Sequence, residues 1–344
     1  MHISKGLKAL AVIALATVAL QAPVLGQGQG RGQGGGAAAG FTMDPIRPGK
    51  VYLINGGTNA YAIIGKTGVI LVDSKTSKKN GEDILKAIAT VTPLPVTHVI
   101  LTHSDCDHAN GIAGIPASIP VIATKRNLIE LKQTLRFGTI ETQGIGNGMP
   151  DPNRLPTMLI DQEKTDTTID GVHLILYYWG PAHTSGDLVI YVPDEKVVIT
   201  GDYLMNAAPE ANGLPPQQHG LWWKFEKNGS PAGWLKGANN LLALNADTYL
   251  GGHGDKPFTK AQVRELRDGM KADMEKIDAM AAAGKSLDDI KTAFNDQAYA
   301  PRSALPYNLN PPRECPRGIG YMPLTFQEYH EWLNKHEEFK GGTL

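Results

Sequence analysis

Residues Thr102-His103-Ser104-Asp105-Cys106-Asp107-His108 place four histidine or aspartate side chains within six positions, directly after the apolar run Thr97–Leu101. Such a cluster restricts what the chain can fold into. The run must be a buried strand that stops at an edge, where a loop turns alternate side chains toward one point, and side chains of this kind can surround one or two cations. A polar turn in which Asp107 and His108 cap the next helix is the competing reading.

Three further positions repeat the theme. His183 stands in Gly180-Pro181-Ala182-His183-Thr184-Ser185-Gly186-Asp187, Asp202 in Gly201-Asp202, and His253 in Gly251-Gly252-His253-Gly254-Asp255. Each follows an apolar run (Val172–Trp179, Lys196–Thr200 and Thr248–Leu250), with glycines that let the backbone turn sharply. Side chains at strand ends of one layered fold are well placed to converge.

The remaining pattern suits an α/β architecture. Val51–Ile54, Ala60–Gly65, Val69–Asp73, Val121–Ala123 and Asp187–Val192 read as short strands separated by glycine-bearing turns. Helices are expected over Glu82–Thr90, with Asn80 as its cap, from about Arg126 to Leu135, and near Gly233–Leu244. Strands and helices recur on either side of a Gly/Pro-rich loop, Glu141–Arg154, which predicts two mixed sheets packed under outer helices. Tyr203–Gly229 reads as irregular, and the chain beyond Lys260 as helical (Ala261–Ala283, Leu287–Phe294 and Phe326–Phe339).

The amino terminus carries Lys5 and Lys8, then an apolar run from Ala9 to Leu20 and small residues to Gly26. That order is expected of a cleaved export signal over 1–26, and the run is short for a membrane span, so no stable membrane anchor is expected. Residues 27–40, almost all Gly, Gln and Ala, read as a linker. A catalytic domain over 41–260 and a helical extension packed on it over 261–344 complete the expected organisation, in a periplasmic or secreted protein. A net charge of −1 supplies no field that would draw nucleic acid, and no nucleic-acid partner is expected. Of the two cysteines, Cys106 reads as a spacer pointing away from the cluster, and its place inside the motif argues against a bridge to Cys315.

The order of these motifs resembles that of the metallo-β-lactamase superfamily, whose first motif runs His-x-His-x-Asp-His and is followed by a His, a bridging Asp and a final His. The resemblance spans about Val51 to Gly254. It implies an αββα sandwich, here with C-terminal helices, and a metal site at one edge built from His103, Asp105, Asp107, His108, His183, Asp202 and His253. It further implies two divalent metal ions, zinc with iron or manganese as alternatives, and hydrolysis of a small-molecule ester, thioester, lactone or amide, β-lactams included. A metal-held hydroxide would attack the electrophile, with Asp107 as the catalytic residue that orients it or takes its proton. An iron-dependent oxygenase or redox enzyme, or a metal-binding protein with little catalysis, are the alternatives.

Asp105 departs from the pattern, which has histidine there. With His103 and His183 it would form a two-His-one-carboxylate set of the kind iron sites use. Its extra negative charge is expected to make a bound water harder to deprotonate, so that Asp105→His would move the acidic limb of kcat/KM to lower pH. Asp73 is a candidate to orient a metal-binding histidine. Trp222 and Trp223, near His219, are candidates for an apolar substrate wall. His98 and His173 read as structural, and His330 and His336 as solvated.

Overall fold

Alternate residues of the apolar runs part to opposite faces of their strands, and that parity sorts the chain into layers. The computed structural model describes residues 40–137, 148–205 and 227–293. One sheet runs in the order β1 (Thr42–Arg47), β2 (Val51–Asn55), β3 (Ala60–Ile64), β4 (Val69–Val72), β5 (Val96–Ile100), β6 (Val121–Thr124) and β7 (Met158–Ile160). Its first four strands pair antiparallel and its last four parallel. The second sheet holds β8 (Lys164–Ile169), β9 (Val172–Tyr177), β10 (Val189–Val192), β11 (Val197–Met205), β12 (Thr248–His253) and β13 (Phe258–Thr259). There only β11 and β12 pair parallel.

Ile70 and Val72 face the space between the sheets, where they meet Ile190, Val192, Ile199 and Leu250. Their neighbours Val69 and Leu71 point outward, against Ile84 and Ile88 of α1 (Lys78–Ile88) and Leu131 of α3 (Lys125–Phe137). The second sheet repeats the division. Val189 and Tyr191 face outward onto Trp234, Ala238 and Leu241 of α4 (Pro231–Ala243) and Val263 of α5 (Lys260–Ala282). The result is the expected αββα sandwich. Each fully buried aliphatic side chain contributes roughly 1.5–3 kcal/mol to it. A short α2 (Cys106–Ala109) follows β5, and α6 (Leu287–Ala293) is the last described element. Among the described residues no helix is long and apolar enough to cross a membrane.

The structure moves several expected boundaries. Ser77, not Asn80, caps α1, its hydroxyl accepting from the Asn80 backbone N–H at 3.2 Å. β11 continues through Asp202 to Met205, because a register shift at Gly201 lets the strand bend and go on. β1, β7, β8 and β13 were not expected. All lie at or near sheet edges, where one face is wet and no apolar run is needed: β8 is Lys-Thr-Asp-Thr-Thr-Ile with alternating exposure. The expected amino-terminal signal, the expected linker up to residue 39, most of Tyr203–Gly229 (His219, Trp222 and Trp223 among it) and Phe326–Phe339 lie outside the described residues.

The two sheets are also fastened by polar groups at the β3–β4 turn, which opens β4, whereas Asp73 follows its other end. Asp170, in the turn between β8 and β9, accepts from the Thr67 hydroxyl at 2.6 Å and from the Thr97 hydroxyl, while its carbonyl accepts from the Lys66 N–H at 2.7 Å. Burial opposes its charge, but the two hydroxyls and the adjacent His98 hold its pKa below the usual carboxylate value of 3.8. A depressed folded pKa contributes stability that is present above the unfolded value and lost as pH falls through the folded one. Asp170→Ala is therefore expected to cost about 1–2 kcal/mol at pH 7. Urea unfolding of both proteins at pH 7 and again at about pH 3 checks this: the gap between them should narrow in acid.

Candidate metal centre

Every expected ligand sits where the backbone leaves a buried strand. Beyond β5, His103 and Asp105 precede α2, which carries Asp107 and His108; His183 lies between β9 and β10, Asp202 in the bent end of β11, and His253 at the end of β12. The structure brings their donor atoms into two groups, His103, Asp105, His183 and Asp202 in one and Asp107, His108 and His253 in the other, each with its atoms within 4.8 Å of one another. Asp202 joins the groups. Its Oδ1 lies 3.2 Å from His108 Nε2, and its Oδ2 lies 3.3 Å from His253 Nε2, 3.5 Å from His183 Nε2 and 3.8 Å from His103 Nε2.

Such closeness requires glycine. A Cβ at Gly252 would stand 1.8 Å from Asp202 Oδ1, and one at Gly201, where φ is +54°, would meet the Thr102 hydroxyl at 2.5 Å. Both substitutions would push the bridging carboxylate or its neighbours out of place.

The donor chemistry fits divalent metal ions. Among the described residues, His103 Nε2 is buried with no hydrogen-bond partner, and His108 Nε2 and Asp202 Oδ1, though 3.2 Å apart, do not meet with hydrogen-bond geometry, a costly state for polar atoms unless a cation takes their lone pairs. The opposite ring nitrogens are engaged. Asp73 Oδ2 takes His108 Nδ1 at 2.8 Å, and the same carboxylate accepts the Thr102 hydroxyl at 2.7 Å and the Thr102 N–H at 2.8 Å. That hydroxyl in turn lies 2.9 Å from His103 Nδ1. Asp73 thus does what its place at the end of β4 suggested, aiming both rings with one carboxylate. Asp73 also holds φ +59°, an uncommon conformation for a residue with a side chain.

Electrostatics within the side-chain cluster run the same way. Burial works against a charge on His183, yet the Asp105 hydrogen bond and the field of Asp202 raise its pKa to about 9. Burial likewise disfavours the Asp202 carboxylate, but His253 and His108 beside it hold its pKa well below the usual range. A metal entering such a cluster displaces protons, so its uptake weakens in acid.

Two residues that sequence reasoning missed complete the site. Lys227, 4% exposed, places Nζ 2.5 Å from Asp105 Oδ1. Glu130 of α3, 3% exposed, accepts from the Ser104 hydroxyl at 2.7 Å and from Ser185 through both its N–H (2.9 Å) and its hydroxyl (2.7 Å), tying the two ligand loops to one helix. Burial lifts Glu130 to about 7 against the opposing pull of Lys227 and both serines. Lys227 bears on the expectation built on Asp105, since its ammonium meets the carboxylate that carries the extra negative charge. Cys106 also differs from expectation. It is disulfide-bonded and takes no place in either ligand group; the other cysteine, Cys315, lies outside the described residues. His98, beside Thr97, and His173, paired with Asp166 at 2.8 Å, are structural as read.

Because Asp73 serves both rings, Asp73→Ala should weaken metal binding by about 10–100-fold without unfolding the protein. Metal titration of the apoprotein against a chelator, with far-UV circular dichroism as the control, measures this; unchanged affinity would show that Asp73 acts only in folding.

Comparison with known proteins agrees with this geometry. The profile of the metallo-beta-lactamase superfamily matches residues 53–253. The chain is 28% identical over 262 residues to the 2,4-dinitroanisole O-demethylase subunit alpha of Nocardioides sp. (strain JS1661), covering 75% of this chain and 68% of that subunit. It is 21% identical over 234 residues to the linear primary-alkylsulfatase of Pseudomonas sp. (strain ATCC 19151), covering 58% of this chain but only 42% of that enzyme. Among solved structures, a metallo-beta-lactamase from Pontibacter korlensis matches with TM-score 0.52 at 18% identity, over 67% of this chain and 99% of that one. The stereoselective inverting sec-alkylsulfatase of Pseudomonas sp. matches with TM-score 0.56 at 19% identity, over 73% of this chain and 45% of that one. With its sandwich fold, its convergent ligand cluster and this match over more than half its length, the chain belongs to the metallo-beta-lactamase superfamily of metal-dependent hydrolases.

Proposed function

We propose that the protein is an exported hydrolase that uses two divalent metal ions, zinc in the first instance, to cleave a bond from oxygen to carbon or sulfur in a small organic molecule. Carboxylic esters, lactones, sulfate esters and activated aryl ethers fall in this class. The observation that carries the reading is the pair of ligand groups sharing Asp202 at one edge of the sandwich, with orphaned donor atoms aimed between them. Divalent ions held by these two groups would supply an activated water and a Lewis acid for the developing oxyanion.

The chain's own residues supply direction. His103, Asp105, His108, His183 and Asp202 are buried, whereas the side chains of His253 and Asp107 are 27% and 30% exposed. Substrate therefore approaches from the His253–Asp107 side. Asp107 is held there by the Thr58 hydroxyl, which donates to its Oδ2 at 2.8 Å, and this supports its reading as the carboxylate that orients the nucleophile or takes its proton. The oxygen-leaving-group class is supported by the names of two relatives, an O-demethylase and an alkylsulfatase. Thioesters and amides, β-lactams among them, are the wider alternatives.

Two measurements test the proposal. Gently purified protein should carry close to two equivalents of metal, with His183→Ala losing mainly the first and His108→Ala or His253→Ala mainly the second. It should also turn over at least one of p-nitrophenyl acetate, a lactone, an alkyl sulfate or 2,4-dinitroanisole faster than a chromogenic β-lactam. Tightly held iron together with oxygen consumption would favour the redox reading, which the His103–Asp105–His183 set invites.

Export rests on the Lys5/Lys8 start and the apolar run after it. Mass spectrometry of protein from its native host should find about the first 22–26 residues removed. An intact Met1 or His2 would refute export by this route.

A further inference from the structure

Among the described residues, Asp105 turns its two oxygens to different sides. Oδ2 lies 3.1 Å from His183 Nε2 and 3.7 Å from His103 Nε2, among the donor atoms of the first ligand group. Oδ1 turns the other way and meets Lys227 Nζ at 2.5 Å. Neither residue is free to drift, since Asp105 is 2% exposed and Lys227 4%. The Lys227 backbone is fixed to the loop that carries His183: its carbonyl accepts from the Ser185 N–H at 2.8 Å, and the Ser230 N–H donates to Ala182 O at 2.7 Å.

A histidine ligand offers one donor atom and no charge; an aspartate offers two oxygens and a negative charge. An ammonium on one carboxylate oxygen removes both differences at once. We propose that Lys227 is a positioning residue for the first metal position, holding Asp105 as a one-oxygen ligand and cancelling the charge by which aspartate differs from histidine. The lysine and the aspartate then form one unit that stands where a single histidine would serve, and neither is replaceable alone. Lys227 is too buried to act as a substrate contact. Its role runs through Asp105.

This rests on reading the cluster as a metal centre, and the test separates the two. Apoprotein of the full chain is titrated with zinc against a chromophoric chelator for four proteins: the parent, Asp105→His, Lys227→Met and the double variant Asp105→His/Lys227→Met. In Asp105→His a buried ammonium faces a neutral ring and an incoming cation, so affinity at the first position should fall by about tenfold or more. Adding Lys227→Met should recover most of that loss, to within about threefold of the parent, because the coupling between the two sites dominates. In cobalt-substituted protein, Lys227→Met alone should weaken the visible absorption as the freed Asp105 oxygen raises the coordination number, whereas Lys227→Arg should keep the parent spectrum.

A double variant no better than Asp105→His would overturn the proposal, since a lysine needed only for packing adds its loss to that of its neighbour. Parent apoprotein that takes up no zinc would overturn the metal centre itself. Should Asp105→His fail to fold, Asp105→Asn, which keeps the shape and drops the charge, replaces it in the same cycle with the same expected recovery.

Discussion

The architecture depends on one electrostatic constraint: Asp202 is a carboxylate only 5% exposed, and nothing apolar can satisfy it. Burying an anion is tolerable only where cations and donors are fixed around it. Here four histidine nitrogens lie within 3.8 Å of its two oxygens, two from the segment after β5 (His103 and His108), one from the loop between β9 and β10 (His183) and one from the end of β12 (His253). The sheets position those ends. β11 and β12 deliver their ligands at the same edge because parallel neighbours finish on the same side, while the segment after β5 brings its ligands from the other sheet, and the glycines at 201 and 252 let backbone replace side chain beside the carboxylate.

Around that anion the support is layered. Asp73 aims His108 directly and His103 through Thr102, while Glu130 holds the serines that flank Asp105 and follow His183. Thr58 steadies Asp107, and its strand segment bridges to His253. Asn59 and Tyr61 both donate to the Gly251 carbonyl, at 2.9 and 2.6 Å, which anchors the end of β12. Rigid supports of this kind keep donor atoms in place when their own lone pairs would repel one another.

What the sequence disclosed follows from range. The strands β2 to β6 and the ligand residues were legible because each is local: an apolar run, then histidine, aspartate and glycine. Asp73 was legible because it closes a strand beside the motif. Lys227 was not, since Lys227-Asn228-Gly229 looks like any polar turn and its partner Asp105 is 122 residues away. Glu130 was not, because a charged residue in an amphipathic helix reads as solvated until its inward face is known. The edge strand β8 escaped for a simpler reason: Lys164 to Thr168 contains no aliphatic residue, and only pairing with β9 makes a strand of it.

The origin of the ligands in the chain carries a consequence for biogenesis. His103, Asp105, Asp107 and His108 belong to the first sheet and its loops, whereas His183, Asp202 and His253 belong to the second. Neither half holds a complete group: the first lacks the bridging carboxylate, and the second lacks every ligand that Asp73 aims. The centre is complete only when the two sheets close on each other. A full set of donor atoms therefore exists only in a chain whose two halves have packed together.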